Sequence, residues 1–171
     1  GYVASEEFMS ALRSIADDFE AALIIDETST GCGASGQGFW QSNVKADYVC
    51  FGKRTQATGY YSKEGLGLGG GENDVKLFKT IHQGIQQDNL LNRVSEVGSK
   101  LASDAQNLKL TARTSGTSMW IETESPAALV AHMRSQGVVV KQNGDMVVAK
   151  PALIMGQNQA GELISALNKF N

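Results

Sequence analysis

A short apolar run that ends abruptly at two carboxylates constrains the fold of this chain more than any other feature. Residues 21–25 are apolar throughout, Asp26 and Glu27 follow them, and a glycine-containing loop begins soon afterwards. A second predicted strand, residues 47–51, leads to Lys53. Runs that are apolar at every position are typical of parallel strands covered on both faces, and open α/β sheets place their chemistry at the carboxyl ends of such strands. We therefore predict an α/β fold in which adjacent parallel strands bring Asp26 and Lys53 to one edge of a sheet.

Composition excludes several classes of function. The chain has 171 residues, of which 42% are hydrophobic and 19% charged, which is ordinary for a folded protein rather than a disordered one. A net charge of -3 gives no electrostatic case for binding nucleic acid. No apolar run approaches the ~18 residues of a membrane-spanning helix, so we predict no transmembrane segment. Cys32 and Cys50 are too far apart for a Cys-x-x-Cys motif, and we predict two reduced thiols.

The rest of the chain alternates helical and strand patterns. Ser5 is a candidate N-cap with two glutamates in the first turn, and Phe8, Leu12, Ile15 and Phe19 follow at helical spacing. Further helices are predicted to start at Asp74, near Asp88 and at Pro126, with a last one near the end of the chain. Further strands are predicted at 57–61, 108–113, 119–123, 138–142 and 146–150, and the last two are joined by a hairpin turn at Asn143-Gly144. Residues 66–71 are predicted to be a flexible turn.

The order Asp26-Glu27-x-x-Thr30-Gly31, followed by Phe-x-Lys53, resembles the class III pyridoxal-phosphate aminotransferases, and 4-aminobutyrate aminotransferase most of all. The resemblance runs through most of the chain but covers only the C-terminal half of the family. It implies fold type I: residues 1–106 as the C-terminal portion of the cofactor-binding large domain with a linking helix, and residues 107–171 as the small α/β C-terminal domain.

The resemblance also implies roles for four residues. Lys53 would carry pyridoxal phosphate as a Schiff base, and Asp26 would hold the pyridine nitrogen of that cofactor. Thr28 and Ser29 stand where the family usually has Val-Gln, which stack on the ring and bond its hydroxyl. The residues alone leave another interpretation open, in which Asp26 caps the following turn and Lys53 is a solvated loop lysine. His82 and His132 have no partner at ligand spacing, and we predict no metal site.

Several positions depart from the family pattern. Ser29 is shorter than glutamine, and Leu66-Gly67-Leu68 stands where a threonine that holds the cofactor phosphate is expected. Lys150-Pro151 replaces an Arg-Pro pair, and lysine lacks the planar fork of arginine. The half of the family that supplies the main phosphate loop and the ring clamp has no counterpart in this sequence.

These departures predict a degenerate 4-aminobutyrate-aminotransferase-like protein that is inactive alone and acts as a structural or accessory subunit of a larger complex. That function needs no cofactor. The eukaryotic enzymes it resembles work in mitochondria, so we expect a mitochondrial location, and otherwise a cytoplasmic one. The alternative is the C-terminal half of a working split aminotransferase, which uses pyridoxal phosphate to move an amino group from 4-aminobutyrate, or a similar ω-amino acid, to a 2-oxo acid. In either case we expect another protein chain to cover the incomplete sheet.

Overall fold

A computed structural model describes residues 4–40 and 44–170 of the chain as two compact units, each built from helices and a four-stranded sheet. The N-terminal unit comprises residues 4–33, 38–40 and 44–89, and the C-terminal unit comprises residues 34–37 and 90–170. The domain boundary near residue 106 stays a prediction. The elements in chain order are α1 (Glu6–Asp18), β1 (Ile24–Asp26), β2 (Tyr48–Phe51), a 3₁₀ turn (Lys53–Thr55), β3 (Gly59–Ser62), β4 (Gly65–Leu68), α2 (Glu72–Gln87), α3 (Leu90–Asn107), β5 (Ala112–Ser115), β6 (Ser118–Glu122), α4 (Pro126–Ser135), β7 (Lys141–Asn143), β8 (Met146–Ala149) and α5 (Gln157–Asn168).

The sheet of the N-terminal unit has the strand order β1-β2-β3-β4. Strands β1 and β2 are parallel, with Asp26 opposite Cys50, so the predicted parallel pair is confirmed. The following two pairings, β2 with β3 and β3 with β4, are antiparallel. The sheet is therefore mixed, and its parallel part is the pair that carries Asp26 and leads to Lys53.

The prediction of a flexible turn at residues 66–71 is wrong. Gly65–Leu68 forms β4, which pairs with β3 along its whole length. The glycines allow the two strands to pack closely, because a Cβ at Gly59 would overlap the carbonyl oxygen of Gly67, and a Cβ at Gly67 would lie 2.7 Å from the ring of Tyr60. Glycine in a strand often marks such a close approach, and here it was mistaken for turn chemistry.

The expected coverage of both faces of β1 is not present in the described part of the chain. Strand β1 lies at the edge of its sheet, and the side chain of Ile24 is 60% exposed. Its neighbour β2 is better covered, since Val49 and Phe51 are both buried. An all-apolar run thus predicted the strand correctly, whereas the packing partners that such a run normally has are not among the described residues.

Helix α1 forms as the sequence predicts, but its apolar stripe faces outward. Ser5 is the N-cap, and its hydroxyl accepts a hydrogen bond of 3.2 Å from the backbone N–H of Phe8. Phe8 is 49% exposed and Ile15 is 54% exposed. These side chains recur at helical spacing without a partner surface in the described residues.

An ion pair ties α1 to the start of both parallel strands. Arg13 Nη1 lies 2.8 Å from Asp47 Oδ2, and the same carboxylate oxygen accepts a 2.8 Å hydrogen bond from the backbone N–H of Leu23. The guanidinium of Arg13, and secondly the N–H of Leu23, lower the pKa of Asp47 below its ordinary value. One carboxylate therefore joins the helix, the segment entering β1 and the segment entering β2.

We expect the substitution Asp47→Asn to make the stability of the chain less sensitive to acid. Because folding lowers the pKa of Asp47, its contribution is present above the unfolded pKa, about 3.9, and is lost as pH falls through the folded value. Urea unfolding at a series of pH values from neutral to acid measures this dependence. Asp18→Asn, which removes the same charge from the end of α1, is the control. If the stability of Asp47→Asn fell with acid as steeply as that of the native chain, the lowered pKa of Asp47 would not be the source of the acid sensitivity.

The C-terminal unit contains the larger core. Its antiparallel sheet has the order β5-β6-β8-β7, and the hairpin predicted at Asn143-Gly144 is confirmed, with Gly144 at a φ of 63°. Helices α3, α4 and α5, together with Val140 and Met155 in connecting segments, supply the rest of the core. The side chains of this cluster are Val97, Leu101, Ala105, Met119, Ile121, Leu129, Met133, Val140, Val147, Ala149, Met155, Ala160, Leu163, Ala166 and Leu167.

Candidate active site

The candidate residues lie where β1 and β2 end, at the edge of the first sheet. We call the surface formed by Asp26, Thr28, Ser29 and Lys53 the shelf. Asp26 ends β1 opposite Cys50, and Lys53 follows Cys50 by three residues. Asp26 Oδ1 accepts a hydrogen bond of 2.9 Å from the backbone N–H of Thr28. This bond, with a second one from the Thr28 side chain, lowers the pKa of Asp26 and keeps its carboxylate charged. Asp26 thus caps the turn that follows it, and its side chain remains exposed.

Lys53 has an unusual backbone conformation for a residue with a side chain. It begins the 3₁₀ turn Lys53–Thr55 with a φ of 51°, and Gln56 ends that turn with a φ of 58°. The left-handed region costs a residue with a Cβ about 1–2 kcal/mol, and such conformations cluster at functional sites. Gln56 Nε2 donates a 3.3 Å hydrogen bond to the carbonyl oxygen of Lys53, which helps to hold the turn. The conformation places the exposed Lys53 amine at the sheet edge.

The structure brings Lys53 to the turn that carries the predicted ring contacts. Lys53 Nζ donates a hydrogen bond of 3.5 Å to Ser29 Oγ. Ser29 and Thr28 are both half-buried in the turn after Asp26. All four residues singled out by the sequence therefore lie on adjacent strand ends within the N-terminal unit.

A buried cluster lies behind this shelf, and the sequence did not indicate it. Glu27 is 2% exposed and Cys32 is 1% exposed, although Cys32 belongs to a segment predicted to be a loop. Burial, and secondly the nearby Glu27 carboxylate, raise the pKa of Cys32 to about 11. Burial also lowers the pKa of Arg54. The Cys32 thiol is consequently protonated and unreactive near neutral pH.

The missed residues follow a pattern that could have been recognised. Asp26 is exposed and Glu27 is buried; Lys53 is exposed and Arg54 is half-buried. Asp26 ends β1 and Glu27 follows it directly, and successive side chains of an extended segment point in opposite directions, so these two carboxylates do not face the same site. Asp26 and Lys53 are thus each followed by a charged residue that packs behind the shelf.

Phe39 and Trp40, which follow the glycine-rich loop, pack against other aromatic rings of the N-terminal unit. The ring of Trp40 is stacked with Tyr61 at a centroid distance of 5.2 Å. The ring of Phe39 meets His82 edge-on at 5.0 Å. His82 is therefore a packing residue within the N-terminal unit.

The shelf fits one end of pyridoxal phosphate better than the other. An amine and a carboxylate at neighbouring strand ends are the groups that an aldehyde and a pyridinium nitrogen require. Arg54, which follows Lys53, lies half-buried behind the shelf, and the first turn of α2 carries the carboxylates Glu72 and Asp74 rather than a cation. These residues therefore do not form a complete site for this cofactor.

Sequence comparisons relate the chain to aminotransferases. Residues 1–68 match the family model for class-III aminotransferases. The L-lysine-epsilon aminotransferase of Mycobacterium tuberculosis is 47% identical over 55 residues, which are 31% of this chain and 12% of that protein. The mitochondrial 4-aminobutyrate aminotransferase of Mus musculus is 27% identical over 188 aligned positions, covering 95% of this chain and 37% of that protein.

Solved structures show the same relationship. The lysine aminotransferase of M. tuberculosis in its internal aldimine form superposes with a TM-score of 0.85 at 26% identity, covering 95% of this chain and 44% of that one. The ornithine aminotransferase of Toxoplasma gondii gives a TM-score of 0.86 at 16% identity, which shows the fold alone.

Residues 1–68 are thus similar to part of a class-III aminotransferase domain, and the described fold is that of the fold type I pyridoxal-phosphate aminotransferases. The chain is related to 4-aminobutyrate and lysine aminotransferases, and it spans less than half the length of these relatives. No helix in the described part of the chain is both long enough and apolar enough to cross a membrane.

Proposed function

We propose that this chain is a degenerate aminotransferase-like protein, inactive alone, that serves as a structural or accessory subunit of a larger complex. The mouse, rat and human 4-aminobutyrate aminotransferases related to it are mitochondrial, and we propose the same location for this protein. The observation that carries the proposal is the apolar surface of the N-terminal unit, which the described residues leave uncovered.

That surface consists of side chains that water does not favour. Phe8 and Ile15 on α1 are 49% and 54% exposed, Phe19 at its C-cap is 79% exposed, and Ile24 on the edge strand β1 is 60% exposed. Single exposed apolar residues are common, but a stripe on a helix together with an open strand edge is typical of an interaction surface. Further polypeptide that covers this surface would keep the unit from aggregating.

The exposed shelf supports the absence of catalysis by the chain alone. Asp26 and Lys53 are both exposed, and the hydrogen bond from the Lys53 amine to Ser29 Oγ is long, at 3.5 Å. Binding and orienting a cofactor requires several simultaneous contacts, each with a net value of about 0.5–1.5 kcal/mol. A site this exposed to water would hold the cofactor ring loosely. A loosely held cofactor loses most of the rate enhancement that comes from positioning the reacting groups.

One observation favours a second candidate function, the working split aminotransferase. The left-handed conformation of Lys53 is a strained feature at the position where the resemblance expects the cofactor-bearing lysine. In that case pyridoxal phosphate would bind at Lys53 and Asp26, and a partner chain would supply the phosphate and substrate contacts. The substrate would be 4-aminobutyrate or a similar ω-amino acid.

Visible absorbance of the protein purified with its native partners distinguishes the two functions. We expect no absorbance band that depends on Lys53, before or after the addition of pyridoxal phosphate, so the spectra of the native protein and of Lys53→Ala should coincide. Lys63→Ala, at the exposed turn between β3 and β4, is the matched control. A visible band that is lost in Lys53→Ala and kept in Lys63→Ala would overturn the accessory function and establish the split enzyme.

A further inference from the structure

The turn between β7 and β8 carries the one Asn-Gly dipeptide of the sequence, Asn143-Gly144. Asn143 pairs with Met146 across the hairpin, so Gly144 and Asp145 form a two-residue loop. Gly144 takes the first loop position with a φ of 63°, as the first residue of a type II′ turn does. The dipeptide therefore lies at the tip of a tight hairpin in the C-terminal unit.

Both groups of this dipeptide that can react with each other are accessible. Asn143 is exposed, and its carboxamide makes no hydrogen bond within residues 4–40 and 44–170. The N–H of Gly144 likewise has no acceptor in that part of the chain. A Cβ at Gly144 would meet no atom within 4 Å, so the space beside this residue is open. Neither the carboxamide nor the backbone nitrogen is thus held by another group there.

The strand that leads into this turn is weakly held. Strand β7 lies at the edge of its sheet and has three residues, all of them exposed. Local opening of such an element costs much less free energy than global unfolding. Asn143 can therefore leave its extended conformation, which it must do for its side chain to meet the next backbone nitrogen, without disturbing the core.

We propose that Asn143 is a site of spontaneous deamidation in the folded chain. The nitrogen of Gly144 loses its proton and bonds to Cγ of Asn143, the bond from Cγ to Nδ2 breaks, and ammonia leaves with that proton. The five-membered imide that results takes up one water molecule. Opening at Cγ gives aspartate, and opening at the main-chain carbonyl carbon gives isoaspartate. Asparagine is thermolabile in general, and a following glycine has no side chain to hinder the attack.

Both products change the edge of this sheet. Aspartate adds a carboxylate two residues from Asp145, and isoaspartate also lengthens the backbone before Gly144 by one carbon. The pairing of residues 143 and 146 depends on a two-residue loop, so the longer backbone shifts the end of β7 out of register. The inference does not depend on the proposed function, since no residue of the shelf takes part.

Timed incubation of the full chain at physiological temperature and mildly alkaline pH, followed by peptide mass spectrometry, tests the proposal. We expect Asn143 to lose its amide at least about tenfold faster than Asn158, which is also exposed but precedes Gln159 in α5. Isoaspartate should be among the products. Raising the pH should speed the reaction, because the attacking nitrogen must lose its proton.

The substitution Gly144→Ala separates this route from direct hydrolysis of the carboxamide. The added methyl group meets no other atom but hinders the attack, and we expect deamidation to slow about tenfold. Asp145→Ala, which changes the other loop residue and keeps the dipeptide, is the matched control and should behave like the native chain. The proposal would be overturned by equal rates at Asn143 and Asn158, by an unchanged rate in Gly144→Ala, by equal slowing in both variants, or by aspartate as the sole product.

Discussion

The substitution Gly98→Ala is expected to lower the free energy of unfolding of the C-terminal unit by about 1–3 kcal/mol, although alanine is the better helix former. Gly98 lies in α3, and a Cβ there would overlap backbone atoms of Gly116 in the turn between β5 and β6. Gly116 cannot retreat, because it has a φ of 53° and is itself packed against the backbone of Ala34 and the side chain of Val94. Three backbone segments meet here without room for a methyl group.

Gly84→Ala provides the matched control for this prediction. Gly84 also lies inside a helix, α2, but a Cβ there would meet no atom within 4 Å. The same change should therefore stabilise the chain by up to about 1 kcal/mol, the difference in helix propensity. Thermal and urea unfolding of both variants measure the effects. Equal effects of the two substitutions, in either direction, would contradict the close packing at Gly98.

The substitution Ile15→Asp is expected to separate the protein from its native assembly while leaving its own fold intact. Ile15 is 54% exposed on the apolar stripe of α1, so the isolated chain loses little burial when it is replaced. A charge in the middle of a covered apolar surface would be desolvated without a partner, and we expect affinity for the assembly to fall at least tenfold, about 1.4 kcal/mol. Size-exclusion chromatography with light scattering, together with circular dichroism, measures assembly and fold.

Ser10→Asp serves as the control for the interaction surface. Ser10 is exposed on the same helix and lies off the stripe formed by Phe8, Leu12 and Ile15, so it adds the same charge to another face. It should leave the assembly unchanged. Retention of the native assembly by Ile15→Asp, or its loss in both variants, would show that the α1 stripe is not the interaction surface.

The parts of the fold that the sequence revealed are those in which local pattern and tertiary packing agree. The run at residues 21–25 that stops at Asp26 predicted a parallel strand end, and Ser5 with its two glutamates predicted the start of α1. Asn143-Gly144 predicted a hairpin because the turn requires a positive φ, which Gly144 adopts at 63°. In each case the local backbone conformation can be satisfied by only a few residue types.

Other features depend on tertiary contacts, which the local sequence pattern does not specify. Strand β4 was missed because glycines 65 and 67 suggest a turn, whereas Gly67 in fact makes room for the ring of Tyr60. The start of α2 was placed at Asp74 because aspartate is a good N-cap, but the N-cap is Gly71 and Asp74 lies in the first turn.

The sequence predicted where the candidate site lies, but not its backbone conformation or the packing behind it. Adjacent parallel strand ends do bring Asp26 and the turn at Ser29 to Lys53, as the two charged strand ends indicated. The left-handed backbone of Lys53 and the burial of Glu27 and Cys32 could not be read from residue types, because both depend on packing behind the shelf. The roles of Lys53, Asp26, Thr28 and Ser29 toward a cofactor stay a prediction.

The mass of the native protein in solution tests the central claim most directly, which is that further polypeptide covers the apolar surface of α1 and β1. Light scattering on material purified under gentle conditions should give a particle well above 18.2 kDa, and hydrogen exchange should show residues 8–26 protected in it. A stable, well-folded particle of 18.2 kDa, with the side chains of Phe8, Ile15 and Ile24 open to solvent, would contradict the account.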